Sequence, residues 1–288
     1  MATSGSRKAL ALLLGVTLTV CMPCANTLAG ERDYLSGGEA AGIGASSLAT
    51  FFVGYRVRHS DDGDGPRWRD PLPIETSISR WLGGEPKLGK RNFLDDNFGS
   101  AISTLIGGGL VLATDLSYPV DDRAHDVLQG QFLYYFGSLA NKGLTDMFKG
   151  TFRRKRPFVF LAPELAAQRE GPVHPEDNRS FYSGHASSAF YAMTFLNKRV
   201  RSTMRREMSL SDYHEWRWVP SVVTYGWASV VALSRIQAYR HYLSDVAVGA
   251  IAGTLVATLF YSFDDDLEPP DDPTVGTTPM MFRVSFSF

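Results

Sequence analysis

Ser234–Asp245, SRIQAYRHYLSD, places an arginine, a histidine and an aspartate in fixed register. His241 and Asp245 are four apart, so on a helix they share a face. A carboxylate that accepts from one imidazole nitrogen fixes the tautomer and leaves a lone pair on the other, which makes the ring a nucleophile. Arg235 adds a planar donor fork suited to phosphate oxygens. An apolar stretch over 219–233 predicts a helix leading into this segment, and the small, apolar run VAVGAIAGTLVATLF predicts a last core helix from about His241.

Two earlier stretches carry compatible chemistry. Lys149–Pro157 reads KGTFRRKRP, at the end of an amphipathic helix expected over 128–148. Pro157 is expected to end that helical stretch and to bias Arg156 towards an extended conformation, so that Lys149 and Arg156 project towards one pocket. Tyr182–His185 reads YSGH, followed by the helix-compatible 186–196, which puts Ser183 at an N-cap. A helix start offers unpaired N–H groups to an anion, and Gly184 lets a phosphate oxygen approach the backbone.

Taken together, Lys149, Arg156, Pro157, Ser183, Gly184, His185, Ser234, Arg235, His241 and Asp245 resemble, in type and order, the three-part signature of the type 2 phosphatidic acid phosphatase superfamily. That superfamily also contains class A acid phosphatases, glucose-6-phosphatase and vanadium haloperoxidases; Tyr182 stands where its members usually have proline. The resemblance implies a mainly α, helical-bundle core and a histidine phosphatase acting on phosphoric monoesters or diphosphates, with no metal and no cofactor. It implies that His241 attacks phosphorus, that Asp245 holds its ring, and that His185 protonates the leaving oxygen and then activates water. Lys149, Arg156, Arg235, Ser183 and Gly184 would hold the phosphoryl oxygens, fixed cations taking the place of metal ions. Ser234 either positions the phosphate or caps the turn. His59, His125, His174 and His214 lack such context and read as surface residues, and Asp146, four after Lys142, reads as an ion-pair partner.

The rest of the chain frames this core. Residues 1–29 read as a secretory signal, with Arg7 and Lys8 before the apolar 9–20 and a cleavage site at Thr27-Leu28-Ala29. Both cysteines, Cys21 and Cys24, lie inside it, so no disulfide framework is expected in the mature protein. Residues 30–97 read as a mixed, loop-rich region in which Ala49–Arg58, ATFFVGYRVR, has strand composition. The DDGDGP loop over 61–66 lacks the downstream glutamate of a calcium loop and reads as a solvated turn. Residues 98–263 form the helical core, and 264–288 an acidic, Pro-rich linker with a tail alternating at Phe282, Val284, Phe286 and Phe288. The tail admits a small β ribbon with 49–58, and less readily a barrel-type terminal strand.

The net charge of −1 gives no reason to expect nucleic acid as a partner. Most apolar runs are short against the roughly 20 residues of a membrane span. The expectation is therefore an exported protein, in the periplasm or at the periplasmic face of a membrane, with peripheral lipid contact through 153–156 and the basic stretch 198–206. The substrate is expected to be a lipid phosphate or diphosphate such as phosphatidic acid, phosphatidylglycerol phosphate or an isoprenyl diphosphate. A periplasmic phosphatase of small soluble phosphoesters, a vanadium haloperoxidase and a non-catalytic envelope protein are the alternatives.

Overall fold

A computed structural model describes residues 34–60, 66–68, 70–85, 100–117, 123–164 and 175–264. Among them the regular structure is helical: α1 Gly37–Arg58, α2 Pro73–Gly83, α3 Ser100–Leu116, α4 Arg123–Phe152, α5 Pro157–Leu161, α6 Gly184–Glu207, α7 Leu210–Trp216, α8 Val219–Gln237 and α9 Leu243–Tyr261, with a short 3-10 turn at Pro175–Asn178. The expected helical bundle is present. The signal segment with both cysteines, most of the DDGDGP loop, His174 and the tail beyond Asp264 lie outside the described residues.

Helix α6 is the axis of the bundle, packed by α9, α8, α3 and α4, while α1 lies along α4. Its composition explains that position: Ala186, Ala189, Tyr191, Ala192 and Phe195 are all buried, so the helix is covered all round. Small residues let the neighbours approach. A Cβ on Gly253 of α9 would fall 2.1 Å from the Ser187 carbonyl of α6, and one on Gly54 of α1 would fall 2.1 Å from the Gly143 carbonyl of α4.

That second contact corrects the expected strand. Ala49–Arg58 is the second half of α1, which opens with a capping box between Ser36 and Glu39. Its buried face is made of the small residues Ser47, Thr50 and Gly54, while Phe52 and Tyr55 point outward. The helical period was carried by small residues rather than by large apolar ones. With 49–58 helical, the proposed ribbon loses its first strand, and the described part of the region 30–97 holds the two helices α1 and α2.

Two more expectations shift. Helix α4 ends at Phe152, where Arg153 turns the chain at φ 46°, and Pro157 opens α5 at its first position instead of closing α4. The basic stretch 198–206 belongs to α6, and part of it is internal: Arg199, 1% exposed, reaches Asp115 at 2.5 Å and Asp264 at 2.6 Å. Arg153 and Arg154 are buried likewise, so neither basic cluster is simply a lipid-facing patch. Asp146 does pair with Lys142, and also with Arg58 of α1 at 2.5 Å. The described histidines outside the motifs, His59, His125 and His214, are exposed, as expected.

The outer surface of the bundle carries exposed apolar side chains on several helices. Leu105 on α3, Val223 on α8 and Leu255 on α9 are 63%, 65% and 63% exposed. Of the described helices, α9 is long and apolar enough to cross a membrane by length and composition.

Arg199 joins α6 to the ends of α3 and α9. Arg199→Met would leave two buried carboxylates facing each other, and removing one partner of a buried pair costs about 3–5 kcal/mol. Thermal unfolding of the purified variant should show a clearly lowered Tm, without loss of any residue near the signature motifs.

Candidate active site

Alternating helix directions bring the motif residues to one end of the bundle. Lys149 lies in the last turn of α4, Arg156 just before α5, Ser183, Gly184 and His185 at the start of α6, Arg235 in the last turn of α8, His241 between α8 and α9, and Asp245 in the first turn of α9. The structure thus assembles the whole expected set. Ser183 is the N-cap of α6, accepting from the Ala186 N–H at 3.4 Å. A Cβ on Gly184 would stand 3.1 Å from Thr145 Cγ2, a tight contact, and 3.7 Å, an ordinary one, from Lys149 Nζ, which places the start of α6 beside the end of α4. Ser234 lies inside the last turn of α8, where its hydroxyl donates back to the Val231 carbonyl at 2.6 Å.

His241 is 1% exposed, and its surroundings define its chemistry. Nδ1 lies 2.8 Å from the Ser180 carbonyl, an acceptor only, so Nδ1 carries the proton and Nε2 the lone pair. Burial, followed by repulsion from Lys149, Arg156, Arg235 and His185, holds the imidazole well below its usual range. The ring is therefore a neutral Nδ1–H tautomer among fixed cations, the state a nitrogen nucleophile needs.

Asp245 does not hold the ring directly. Chain geometry separates them: His241 precedes α9, whereas Asp245 sits within its first turn, so the two do not share a helical face. The nearer carboxylate oxygen, Oδ2, is 3.8 Å from Nδ1; it accepts instead from Ser180 Oγ at 2.5 Å and the Tyr242 N–H at 3.0 Å. Oδ1 accepts from Arg154 Nη1 at 2.5 Å. Ser180 is thus the residue between the expected pair.

Arg156 has the expected extended backbone and donates its N–H to the Asp177 carbonyl at 2.8 Å. Its guanidinium meets Glu176 at 3.2 Å, and Glu176 also takes Arg58 at 2.6 Å and Arg179 at 3.4 Å. Burial pushes the Glu176 carboxyl up, but Lys149, Arg58 and Arg156 outweigh this and hold it down at about 2. Burial, with repulsion from Arg240 and Arg58, lowers Arg156 to about 10 despite Glu176 and Asp177. Glu176 is thus an anionic support for the cation cluster.

Sequence reading missed Ser180, Arg154, Glu75, Glu176 and Arg58. Arg154 carried no signal beyond membership of a basic stretch, Arg58 ended a segment read as a strand, and Glu75 lies 170 positions before Asp245. Ser180 stands three before Ser183 in the motif loop, the one place where proximity to a signature could have drawn attention to it.

Residues 131–268, which contain every motif residue, match the model of the PAP2 superfamily. The chain is 32% identical over 158 residues to mouse phospholipid phosphatase 2 (Mus musculus), covering 48% of this chain and 52% of that protein. It is 37% identical over 94 residues to probable diacylglycerol pyrophosphate phosphatase 1 of Schizosaccharomyces pombe, covering 33% of this chain and 32% of that one. The chain spans about half the length of the mammalian relatives it matches. Among solved structures, the crystal structure of the first transmembrane PAP2 type phosphatidylglycerolphosphate phosphatase from Bacillus subtilis aligns with TM-score 0.43 and 18% identity, over 78% of this chain and 98% of that one.

Nitrogen-15 NMR of histidine-labelled protein, with His241 assigned by its loss in His241→Asn, should report a neutral ring protonated on Nδ1 at pH 7. A lowered pKa keeps the neutral form in acid, so the signal should persist to about pH 5.5, a unit below the ordinary imidazole value.

Proposed function

Because residues 131–268 belong to the PAP2 superfamily, we propose that this protein is a metal-independent phosphatase of the cell envelope that hydrolyses a lipid phosphate or diphosphate through a phosphohistidine. The observation that carries the reading is His241: a neutral ring with Nδ1–H bound to the Ser180 carbonyl and Nε2 available, in a site lined by Lys149, Arg156 and Arg235. Attack by Nε2 forms the N–P bond as the P–O bond to the lipid breaks, and His185 gives its proton to the departing oxygen. Water then attacks phosphorus, His185 takes its proton, and the N–P bond breaks to release phosphate and neutral His241. A bound phosphoryl group brings negative charge among the three cations, which favours the protonated His185 that the first step requires.

The cations stabilise charge on the equatorial oxygens, and the start of α6 adds the Gly184 backbone and the Ser183 hydroxyl. Such fixed donors need no reorganisation as charge shifts, which is the physical basis for expecting activity in the presence of a chelator.

Exposed apolar side chains support a lipid substrate. Leu105, Val223 and Leu255, with Leu110, Val230 and Ile251, leave a flank better matched to acyl chains than to water. We read this flank as membrane-facing, which departs from the soluble or peripheral protein expected from the short apolar runs. Polar and small residues had broken most of those runs, whereas α9 is 19 residues long and apolar enough by length and composition to cross a membrane. The catalytic end would lie at the membrane surface where a lipid headgroup arrives, on the exported side if 1–29 acts as a signal. Phosphorylated lipids of the kinds named for the relatives, phospholipids and diacylglycerol pyrophosphate, are the first substrates to test.

The test is phosphate release by the purified protein in mixed micelles with EDTA, from phosphatidic acid, phosphatidylglycerol phosphate, diacylglycerol pyrophosphate, an isoprenyl diphosphate and a soluble aryl phosphate. Release should survive the chelator, favour a lipid, and fall by about a thousandfold or more in His241→Ala, as for loss of other nucleophiles. Equal or better turnover of the aryl phosphate would reject the lipid reading; loss of release in EDTA, or its survival in the variant, would reject the mechanism.

A further inference from the structure

The nucleophile is backed by a chain of buried charges that leaves the superfamily segment. Arg154, 3% exposed, donates from Nη1 to Asp245 Oδ1 at 2.5 Å and to Ser244 Oγ at 2.8 Å, and from Nη2 to Glu75 Oε2 at 2.6 Å. The Ser244 hydroxyl in turn donates to Glu75 Oε1. The guanidinium lies over the Tyr242 ring at 4.2 Å and near Trp68 at 5.3 Å, so its plane is fixed by aromatic faces as well as by its acceptors. Glu75 belongs to α2, outside residues 131–268, and is itself buried.

Charge explains why such a chain would be kept. Nε2 attack turns the His241 ring into a cation, and that cation forms among Lys149, Arg156 and Arg235. Asp245 is the nearest carboxylate, but Arg154 is bonded to it, so these two alone are neutral as seen from the ring. Glu75 restores one net negative charge to the cluster. Arg154 also fixes where that charge sits: with Ser180 Oγ and the Tyr242 N–H it anchors Asp245 3.8 Å from Nδ1, leaving the ring to the Ser180 carbonyl.

We propose that Glu75 and Arg154 are positioning residues of the reaction, an alternating Glu75–Arg154–Asp245 chain through which α2 sets the negative charge that stabilises the phosphohistidine cation. The inference rests on the phosphohistidine reading. Neither residue touches the reacting atoms; both act through Asp245. Helix α2 therefore belongs to the catalytic apparatus, although it lies outside the signature.

Rapid-quench measurement of phosphoenzyme from radiolabelled lipid phosphate tests this in the full chain, with kcat, KM and Tm recorded for each variant. Glu75→Gln keeps shape and most hydrogen bonds but removes the charge. It should slow the phosphoenzyme burst and kcat by about tenfold, less than loss of a direct transition-state donor, with KM within about twofold. Arg154→Lys, which keeps charge but not the fork, should retain more activity than Arg154→Met. Glu75→Gln combined with Asp245→Asn should be no slower than Asp245→Asn alone, because both act along one path. A wild-type burst rate in Glu75→Gln, or independent, multiplying losses in the double variant, would overturn the proposal. If Glu75→Gln folds poorly, Glu75→Asp, which keeps the charge on a shorter side chain, is the second variant; it should keep a burst rate within about threefold of wild type at unchanged KM, and an about tenfold or greater loss there overturns the proposal. A wild type that forms no acid-labile phosphoenzyme while releasing phosphate would instead overturn the phosphohistidine reading, and this inference with it.

Discussion

Like charges gathered in a buried place repel one another, and the motif-bearing end of this bundle depends on how that repulsion is managed. Lys149, Arg156 and Arg235 meet around His241 with little water to screen them. Two anionic supports answer them. Glu176 sits on the Arg156 side, tied also to Arg58 and Arg179, and Asp245 sits beside His241, tied to Arg154 and through it to Glu75. The arrangement offsets part of the repulsion among the cations. Burial, and then the positive charge of Lys149, Arg156 and Arg235, keep His241 neutral, so on the proposed reading the groups that would bind phosphate also prepare the nucleophile.

The bundle supplies the rigidity that this balance requires. Helix α6 crosses the whole assembly, its first turn at the site and its later turns gripping Asp115 and Asp264 through Arg199. Small residues at the α6–α9 and α1–α4 contacts bring backbones close enough that their positions are set by van der Waals contact rather than by flexible side chains. Arg58, at the end of α1, shows how such packing reaches the chemistry: α1 lies against α4, and its last turn delivers the guanidinium that holds both Asp146 and Glu176. Segments before the signature therefore brace it from two sides, α1 through Arg58 and α2 through Glu75.

Local patterns in the chain were readable where chemistry and geometry are local. Ser183 at the start of a helix, the extended backbone before Pro157 and the apolar helix feeding Arg235 each follow from a few adjacent residues. Misreadings arose where local pattern and tertiary packing disagree. Ala49–Arg58 has the aromatic and β-branched content of a strand, but its inward face is Thr50 and Gly54, small residues that matter only once α4 is beside them. The spacing of His241 and Asp245 suits a shared helical face, yet the helix begins between them, because the Asp245 carboxylate accepts from the Tyr242 N–H at 3.0 Å and caps the start of α9.

By itself, the sequence determined a mainly helical protein and pointed to Lys149, Arg156, Ser183, Gly184, His185, Arg235, His241 and Asp245 as a proposed phosphate-handling set, because residue identity and short spacings are enough to specify caps, turns and donor types. Tertiary structure alone decided which partners those groups have: that the Ser180 carbonyl, rather than Asp245, accepts the His241 Nδ1–H hydrogen bond, and that Asp245 pairs with Arg154, which also holds Glu75. The physical reason is that a buried charge is satisfied by whatever the fold brings within about 3 Å. Contacts spanning 65, 79 and 91 positions leave no trace in local spacing.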